Sequence, residues 1–306
     1  MNTSPGVTVG IATRGRPASL ARCIASFEPL GDRVDAIIVV DDGSPEPVEP
    51  LVRAALGNAT NAKLRVVRLD PGRGLAAART LCVEEAATAL VLLVDDDIVW
   101  LTAEALDTAV RTIVADAGIF AIGFAQAGPD GVRLGPGAQA APVERPSYVT
   151  SYIGFAHLVR RDVFMALGGY RAAIVIHGEE RELALRALDA GYHVVYLPDA
   201  VVAHLADPAG RDDRLYLQRT VHGGVLDSIY NDPLPLMLVR IPIRLRAYFA
   251  MRRGWKVHDP GGWWALVRWI GRDLPAAWAL RKPVRWSTIR RWRRLGRHAE
   301  PYGAAQ

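Results

Sequence analysis

The sequence predicts an α/β protein, a Rossmann-like, mostly parallel sheet flanked by helices, with a helical C-terminal appendage. Three observations carry this prediction. Between Val7 and His204, short β-rich runs alternate with helical stretches, the pattern by which strand–helix units build a parallel sheet. Each apolar run ends at a polar or turn-forming cluster, as strands do where the chain leaves a sheet. The composition then changes: from Met237 to Gln306, sixteen Lys/Arg stand against three Asp/Glu, and seven of the eight tryptophans lie there, although the 306 residues together carry a formal charge of only +5. A catalytic domain over residues 1–236 and a basic, Trp-rich helical region over 237–306 are therefore expected.

Taken in order, Val7–Ala12, Ala36–Val40, Leu64–Leu69 and Ala89–Val94 have the length and apolar content of strands. Pro17–Phe27 and Leu75–Thr88 carry helical patterning, the first opening on a proline whose missing N–H costs nothing in a first helical turn. Gly118–Ala125 is a further strand, and Gln126–Pro146, rich in Gly, Pro and Ala, is a loop. A helix follows His177-Gly178 and runs to about Ala190 before Gly191, and Val194–Ala203 is the last apolar stretch of this part. Open parallel sheets bind ligands outside the carboxyl ends of their strands. Function is therefore expected at the clusters Thr13-Arg14-Gly15-Arg16-Pro17, Asp41-Asp42-Gly43-Ser44, Asp70-Pro71-Gly72-Arg73-Gly74 and Asp95-Asp96-Asp97.

Composition excludes several classes. Half of the residues are apolar and 23% charged, which supports a packed core and argues against wholesale disorder. Cys23 and Cys82, with no paired spacing, exclude a disulfide framework or a cysteine-rich zinc module and fit a reducing compartment. No leader-like segment precedes the first strand and no apolar run reaches the length of a membrane span, so a cytoplasmic location is expected. Asn58-Ala59-Thr60 matches a glycosylation acceptor, a triplet of little weight without secretion.

The acidic clusters carry the chemistry. Three aspartates closing a buried strand concentrate negative charge, which is costly unless a cation compensates it. Carboxylate oxygens suit Mg²⁺ or Mn²⁺ bound together with substrate phosphates. Asp41-Asp42 could accept hydrogen bonds from a nucleobase or ribose, although Asp and Gly after a strand also make ordinary turns. Gly72-Arg73-Gly74-Leu75-Ala76-Ala77 fits G-x-G-x-x-A between a strand and a helix, which motivates an NAD(P)-dependent oxidoreductase as an alternative. Against that alternative, two strands precede the motif, and the acid it needs opens an aspartate triplet. Arg73 and Arg79 could meet phosphate or base, or form surface salt bridges. Glu179, Glu180 and Glu182 open a helix, where acids are favoured by the dipole in any case.

Together these segments resemble the family 2 glycosyltransferases of the GT-A fold, over roughly Val7 to Tyr216. The resemblance rests on Thr13-Arg14-x-Arg16-Pro17, Asp41-Asp42-Gly43-Ser44, Gly74-Leu75-Ala76-Ala77-Ala78-Arg79 and the aspartate triplet. It continues through Arg160-Arg161-x-x-Phe164, Gly168-Gly169-Tyr170, Gly178-Glu179-Glu180-x-Glu182-Leu183, Ala190-Gly191-Tyr192 and Pro198-Asp199-Ala200-x-x-x-His204. It implies a nucleobase held by Asp41 or Asp42 with Thr13 and Arg16 near it, the nucleotide also at Asp95 and Asp96, and metal at Asp97, with His204 as the distal metal ligand. It further implies Glu180 as the base that deprotonates an acceptor hydroxyl, with Glu179 and Glu182 on the acceptor side. The implied cofactor is Mn²⁺ or Mg²⁺. The implied donor is a nucleoside-diphosphate sugar, UDP- or dTDP-linked ahead of GDP-linked, and the acceptor a glycan, lipid-linked or small molecule. Two departures bear on the acceptor: Glu182 stands where the family usually has Asp, and Arg219-Thr220 where many members have Arg-Asn.

The tail has its own signature. Arg240, Arg244, Arg246, Arg252 and Arg253 interrupt apolar residues, and Trp263, Trp264, Trp269 and Trp278 alternate with Arg268 and Arg272. Tryptophan with arginine is the composition of a helix lying in a membrane interface, so an anionic membrane surface is an expected partner and the localisation could be peripheral. The alternative is that the tryptophans pack on the catalytic domain and the arginines face water. Nucleic acid is not expected, because the front of the chain, with twenty-one basic residues against twenty-nine acids, opposes it. A non-catalytic sugar-nucleotide-binding membrane adaptor completes the alternatives.

Overall fold

The structure, a computed structural model, describes residues 5–57, 62–206 and 212–303; the Asn58-Ala59-Thr60 triplet lies outside them. β1 (Val7–Thr13), α1 (Pro17–Ala25), β2 (Ala36–Asp41), α2 (Glu49–Leu56), β3 (Lys63–Arg68), α3 (Leu75–Glu85) and β4 (Leu90–Asp95) alternate as the sequence pattern predicts. The two-residue β5 (Ile98–Val99), α4 (Ala103–Ala115) and β6 (Ile119–Ala127) follow. Next come β7 (Ser147–Val149), β8 (Ala156–Arg160), α5 (Arg161–Ala166), α6 (Glu179–Asp189) and β9 (His193–His204). The remainder is α7 (Asp213–Asn231), α8 (Leu234–Gly254), α9 (Gly262–Ala279), α10 (Trp286–Arg297) and a short β10 (Glu300–Pro301).

All ten strands join one mixed sheet in the order β10-β7-β9-β6-β8-β4-β1-β2-β3, with β5 on the side of β9. Most paired residues lie in the parallel ladders β1–β2, β2–β3, β1–β4 and β6–β9. β8 is antiparallel to both β4 and β6, so β4, β6 and β9 run the same way. The carboxyl ends of β1, β2, β4 and β9 therefore share one edge. The strands of the parallel half are near-continuous apolar runs, and β1 is buried at every position, because helices cover both faces of the sheet. Leu20, Ile24, Val52 and Leu106 from α1, α2 and α4 pack into one face. Cys82, Phe164, Leu183 and Trp292 from α3, α5, α6 and α10 pack into the other.

The C-terminal helices build a second layer of packing around α7. Its Leu217 and Val221 meet Tyr248 of α8 and Leu266 of α9, while its Val225 and Ile229 meet Met237 and Ala277. Leu236 belongs to the core of the sheet and Met237 to the core around α7, and Ile289, Trp292 and Leu295 of α10 return to the core of the sheet. The tail tryptophans divide: Trp292 is buried beneath α6 and Trp263 packs on Phe249, whereas Trp255, Trp264, Trp278 and Trp286 are exposed. Among the described residues, no helix is long and apolar enough to cross a membrane.

Candidate active site

The strand ends converge as their register requires. Thr13 pairs with Asp41 across β1–β2, Ala12 with Asp95 across β1–β4, and Asp41 with Arg68 across β2–β3. Asp41 is buried and accepts hydrogen bonds from the Ser44 N–H at 2.8 Å and from Arg68 Nη1 at 2.7 Å. Asp42 accepts from the backbone N–H groups of Arg73, at 2.5 Å, and Gly74, at 2.9 Å. A side chain at position 72 would run into the Asp42 carbonyl oxygen, and Gly74 has φ +93°, a conformation that favours glycine. The two glycines that suggested a dinucleotide fingerprint thus serve to lay this loop against Asp42.

The aspartate triplet splits into distinct roles. Asp96 is fully buried; Thr13 Oγ1 donates to its Oδ2 at 2.6 Å and Arg16 pairs with its Oδ1. Burial pushes its carboxyl up to about 7, with Arg16 and Thr13 pulling the other way. Arg16 also reaches Asp97 Oδ2 at 2.9 Å. The two-residue β5 explains how Asp97 meets a residue more than a hundred positions away: Ile98 pairs with His204 at the end of β9, which sets His204 Nε2 3.4 Å from Asp97 Oδ1. The imidazole lies stacked on Phe155, with ring centroids 5.1 Å apart, and its Nδ1 is 2.7 Å from Gln126 Oε1. That contact leaves Nε2 facing the acids, as a hydrogen bond to the far ring nitrogen does for metal-binding histidines. One ligand atom each from Asp95, Asp97 and His204 lie within 4.8 Å of one another. Two carboxylates and an oriented imidazole are a donor set that fits a divalent ion.

Arg79 joins this cluster to the start of α6. It is only 2% exposed, and its guanidinium donates to Asp95 Oδ1 at 2.5 Å, Glu180 Oε1 at 3.0 Å, Glu179 Oε1 at 3.3 Å and the Gly154 carbonyl at 2.9 Å. Burial works against its charge, but Asp95, Glu180 and Glu179 outweigh that and hold its pKa well above the ordinary value. Burial, then the neighbouring Glu180, pushes the Glu179 carboxyl well above its ordinary range. Beneath them His157, held neutral by burial and the charge of Arg79, meets the Tyr170 hydroxyl at 2.7 Å, and Tyr170 meets Tyr152 at 2.9 Å.

Gly154 makes room for this arrangement, because a Cβ there would meet Arg79 Nη1 at 2.7 Å and would run into Glu180 Oε1. Gly154→Ala is accordingly expected to cost about 1–3 kcal/mol of stability, the usual penalty of overpacking. Urea unfolding checks this; an unchanged midpoint would mean that the cluster gives way without strain.

Several of the expected site residues lie in the interior. Glu182 is fully buried, paired with Arg186 at 2.6 Å, one helical turn on, and bonded by Asn231 at 3.1 Å. Glu179 is 1% exposed and turned inward to Arg79. Arg79 itself bridges carboxylates in the interior instead of reaching phosphate or base, whereas the Arg73 side chain is exposed at the site's edge. Sequence reading passed over Gln126, Phe155 and Gly154. For Gln126 a signal existed, since it ends a strand on the same edge as the acids.

The family model of glycosyl transferase family 2 matches residues 8–168, more than half of the chain. No curated protein matches the sequence. Among solved structures, the chain is similar to the mannosyltransferase PcManGT from Pyrobaculum calidifontis in complex with GDP-Man and Mn²⁺, at 18% identity and TM-score 0.59, over 97% of this chain and 85% of that one. It is similar to S. aureus TarS 1–349 in complex with UDP-GlcNAc, at 15% identity and TM-score 0.63, over 90% of this chain and 84% of that one. A third likeness is to GalNAc-T7 with UDP, GalNAc and Mn²⁺, at 16% identity and TM-score 0.61, over 92% of this chain and 59% of that one. These likenesses establish a GT-A fold, and with the family match over β1 to α5 they make this chain a member of glycosyl transferase family 2.

Proposed function

We propose that this glycosyltransferase works with inversion, moving a hexosyl or deoxyhexosyl group from a nucleoside-diphosphate sugar to an acceptor hydroxyl. The observation that carries the reading is the Asp95, Asp97 and His204 donor set at the end of the sheet, linked through Arg79 to Glu180. In this reading Asp97 and His204 hold the ion, with Asp95 beside them. A mixed oxygen and nitrogen set suits Mn²⁺ ahead of Mg²⁺, which takes oxygen ligands. When bound, the ion neutralises charge on a departing diphosphate.

The residues of the chain do the rest. Thr13, Arg16, Asp41, Asp42 and Asp96 shape the nucleotide end, and the exposed Arg73 is free to meet phosphate oxygens. Similar solved structures in complex with GDP-Man, UDP and UDP-GlcNAc support a nucleotide-sugar donor; UDP- and dTDP-sugars remain the preferred classes. Glu180, steered by the hydrogen bond from Arg79, accepts the proton of the acceptor hydroxyl as its oxygen attacks the anomeric carbon, and one in-line displacement inverts that centre. Residues 1–236 carry this chemistry, and the product belongs to envelope glycan, glycolipid or glycosylated-metabolite synthesis. The buried free thiols of Cys23 and Cys82 support a cytoplasmic setting.

Calorimetric titration with UDP, dTDP and GDP, each with Mn²⁺ and with chelator, tests the donor site. One nucleotide is expected to bind, and chelator or Asp97→Ala should each weaken it about 10–100-fold, as losses around a metal site do. Binding indifferent to both would remove the metal from the reading. Metal-independent binding of NAD(P) in place of these nucleotides would revive the oxidoreductase.

A further inference from the structure

α8 and α9 both pack on α7, and each leaves a long face uncovered. On α8 that face presents Leu238, Val239, Ile243, Arg246, Phe249 and Arg253, at helical spacing. On α9 it presents Trp264, Val267, Leu274 and Trp278, with Arg268 beside them. These are large apolar side chains turned fully outward: Leu238 is 63% exposed, Ile243 62% and Trp264 69%. Single exposed apolar residues are ordinary, but two adjacent helices with continuous outward stripes are not. Trp263 and Trp264 make the point within one turn, the first packing on Phe249 and the second pointing away from the protein.

The charge of the same surface selects its occupant. Arg246, Arg253 and Arg268 are exposed and have no acidic partner among the described residues. A second copy docked on this face would bring like charges together, which is unfavourable. A lipid surface with anionic headgroups answers both halves: apolar side chains and tryptophan rings enter the interface while the arginines stay at the phosphates.

We propose that the outer faces of α8 and α9 seat this chain on an anionic membrane surface. This docking does not depend on the chemistry proposed above.

The test is sedimentation of the full chain with phosphatidylcholine vesicles, with and without one third phosphatidylglycerol. Binding is expected only to the anionic vesicles and should fade as salt screens the arginines. The double variant Ile243→Glu and Trp264→Ser should lower partitioning at least about tenfold, by placing a charge and removing a ring in the interface. Arg246→Gln, Arg253→Gln and Arg268→Gln should each lower it about fivefold. Thermal unfolding and nucleotide titration on the same samples are expected to be unchanged. Those controls separate failure of docking from failure of folding or of the donor site. The proposal is overturned by a wild type that ignores anionic vesicles, or by variants that sediment as the wild type does. It is equally overturned by a wild type that dimerises or is retained by nucleic acid through this face, with the double variant losing that behaviour.

Discussion

Glu180→Gln is expected to lower the rate of sugar transfer about 10³-fold, the usual range for loss of a general base, while donor affinity stays within about twofold. The amide keeps the size of the side chain and can still accept a hydrogen bond from Arg79, which sits 3.0 Å from Glu180 Oε1, but it cannot take a proton. Arg79 retains Asp95 as a charged partner, so the donor end of the site should hold its form. Single-turnover rates and calorimetric titration separate the two readouts. A variant that binds nucleotide and transfers sugar at the wild-type rate would remove Glu180 from the chemistry. A wild type that binds nucleotide but turns nothing over would favour the adaptor reading.

Arg79→Ala should have the largest effect on stability, about 3–5 kcal/mol, because removing one partner of a buried ion pair strands the others. Here the stranded groups are the Asp95 and Glu180 carboxylates and the Gly154 carbonyl. Glu179→Gln, by contrast, should change stability at neutral pH by less than about 1 kcal/mol, since an amide of the same size still accepts from Arg79 and replaces a carboxyl that burial disposes to hold a proton. The two also differ in pH dependence. The folded state holds a proton on Glu179 above its ordinary range, whereas the unfolded chain releases it there. Stability from this residue is therefore complete at low pH and is lost as pH rises from the ordinary glutamate value toward the raised one. Urea unfolding between about pH 5 and pH 8 should show this decline in the wild type and a flatter profile in Glu179→Gln. Parallel profiles would mean that Glu179 is ionised in the folded protein.

The parts of the molecule legible in the sequence are those that local pattern determines. An apolar run that stops at an acid marks a strand and its edge at once, and Asp41, Asp95 and Asp97 all lie where that rule put them. His204 needed the order of motifs as well, because a lone histidine has no local signature. What brings it to Asp97, the two-residue pairing of β5 with β9, is too short to leave a pattern. The burial of Arg79 had no local signature for a related reason: its two glutamate partners lie about a hundred positions away, and arginine after a run of alanines reads equally as surface or interior. Glu182 and Arg186 were readable as an ion pair one turn apart, but nothing in an acidic first turn tells which glutamate faces inward. In the tail, composition announced an unusual surface, and only the helical phase set by contact with α7 divided adjacent tryptophans into inner and outer ones.

The last helix and strand of the chain bear on how this protein can be taken apart. Ile289, Trp292 and Leu295 of α10 complete the core on one face of the sheet, and β10 covers the otherwise open edge of β7. A truncation at the compositional border would uncover that core and free an edge strand, which invites aggregation. The two ends of the chain are thus bound into one cooperative unit that melts together. The membrane question must be put to the intact protein through surface substitutions, and a protease that cuts before α10 should release fragments that fail to remain soluble.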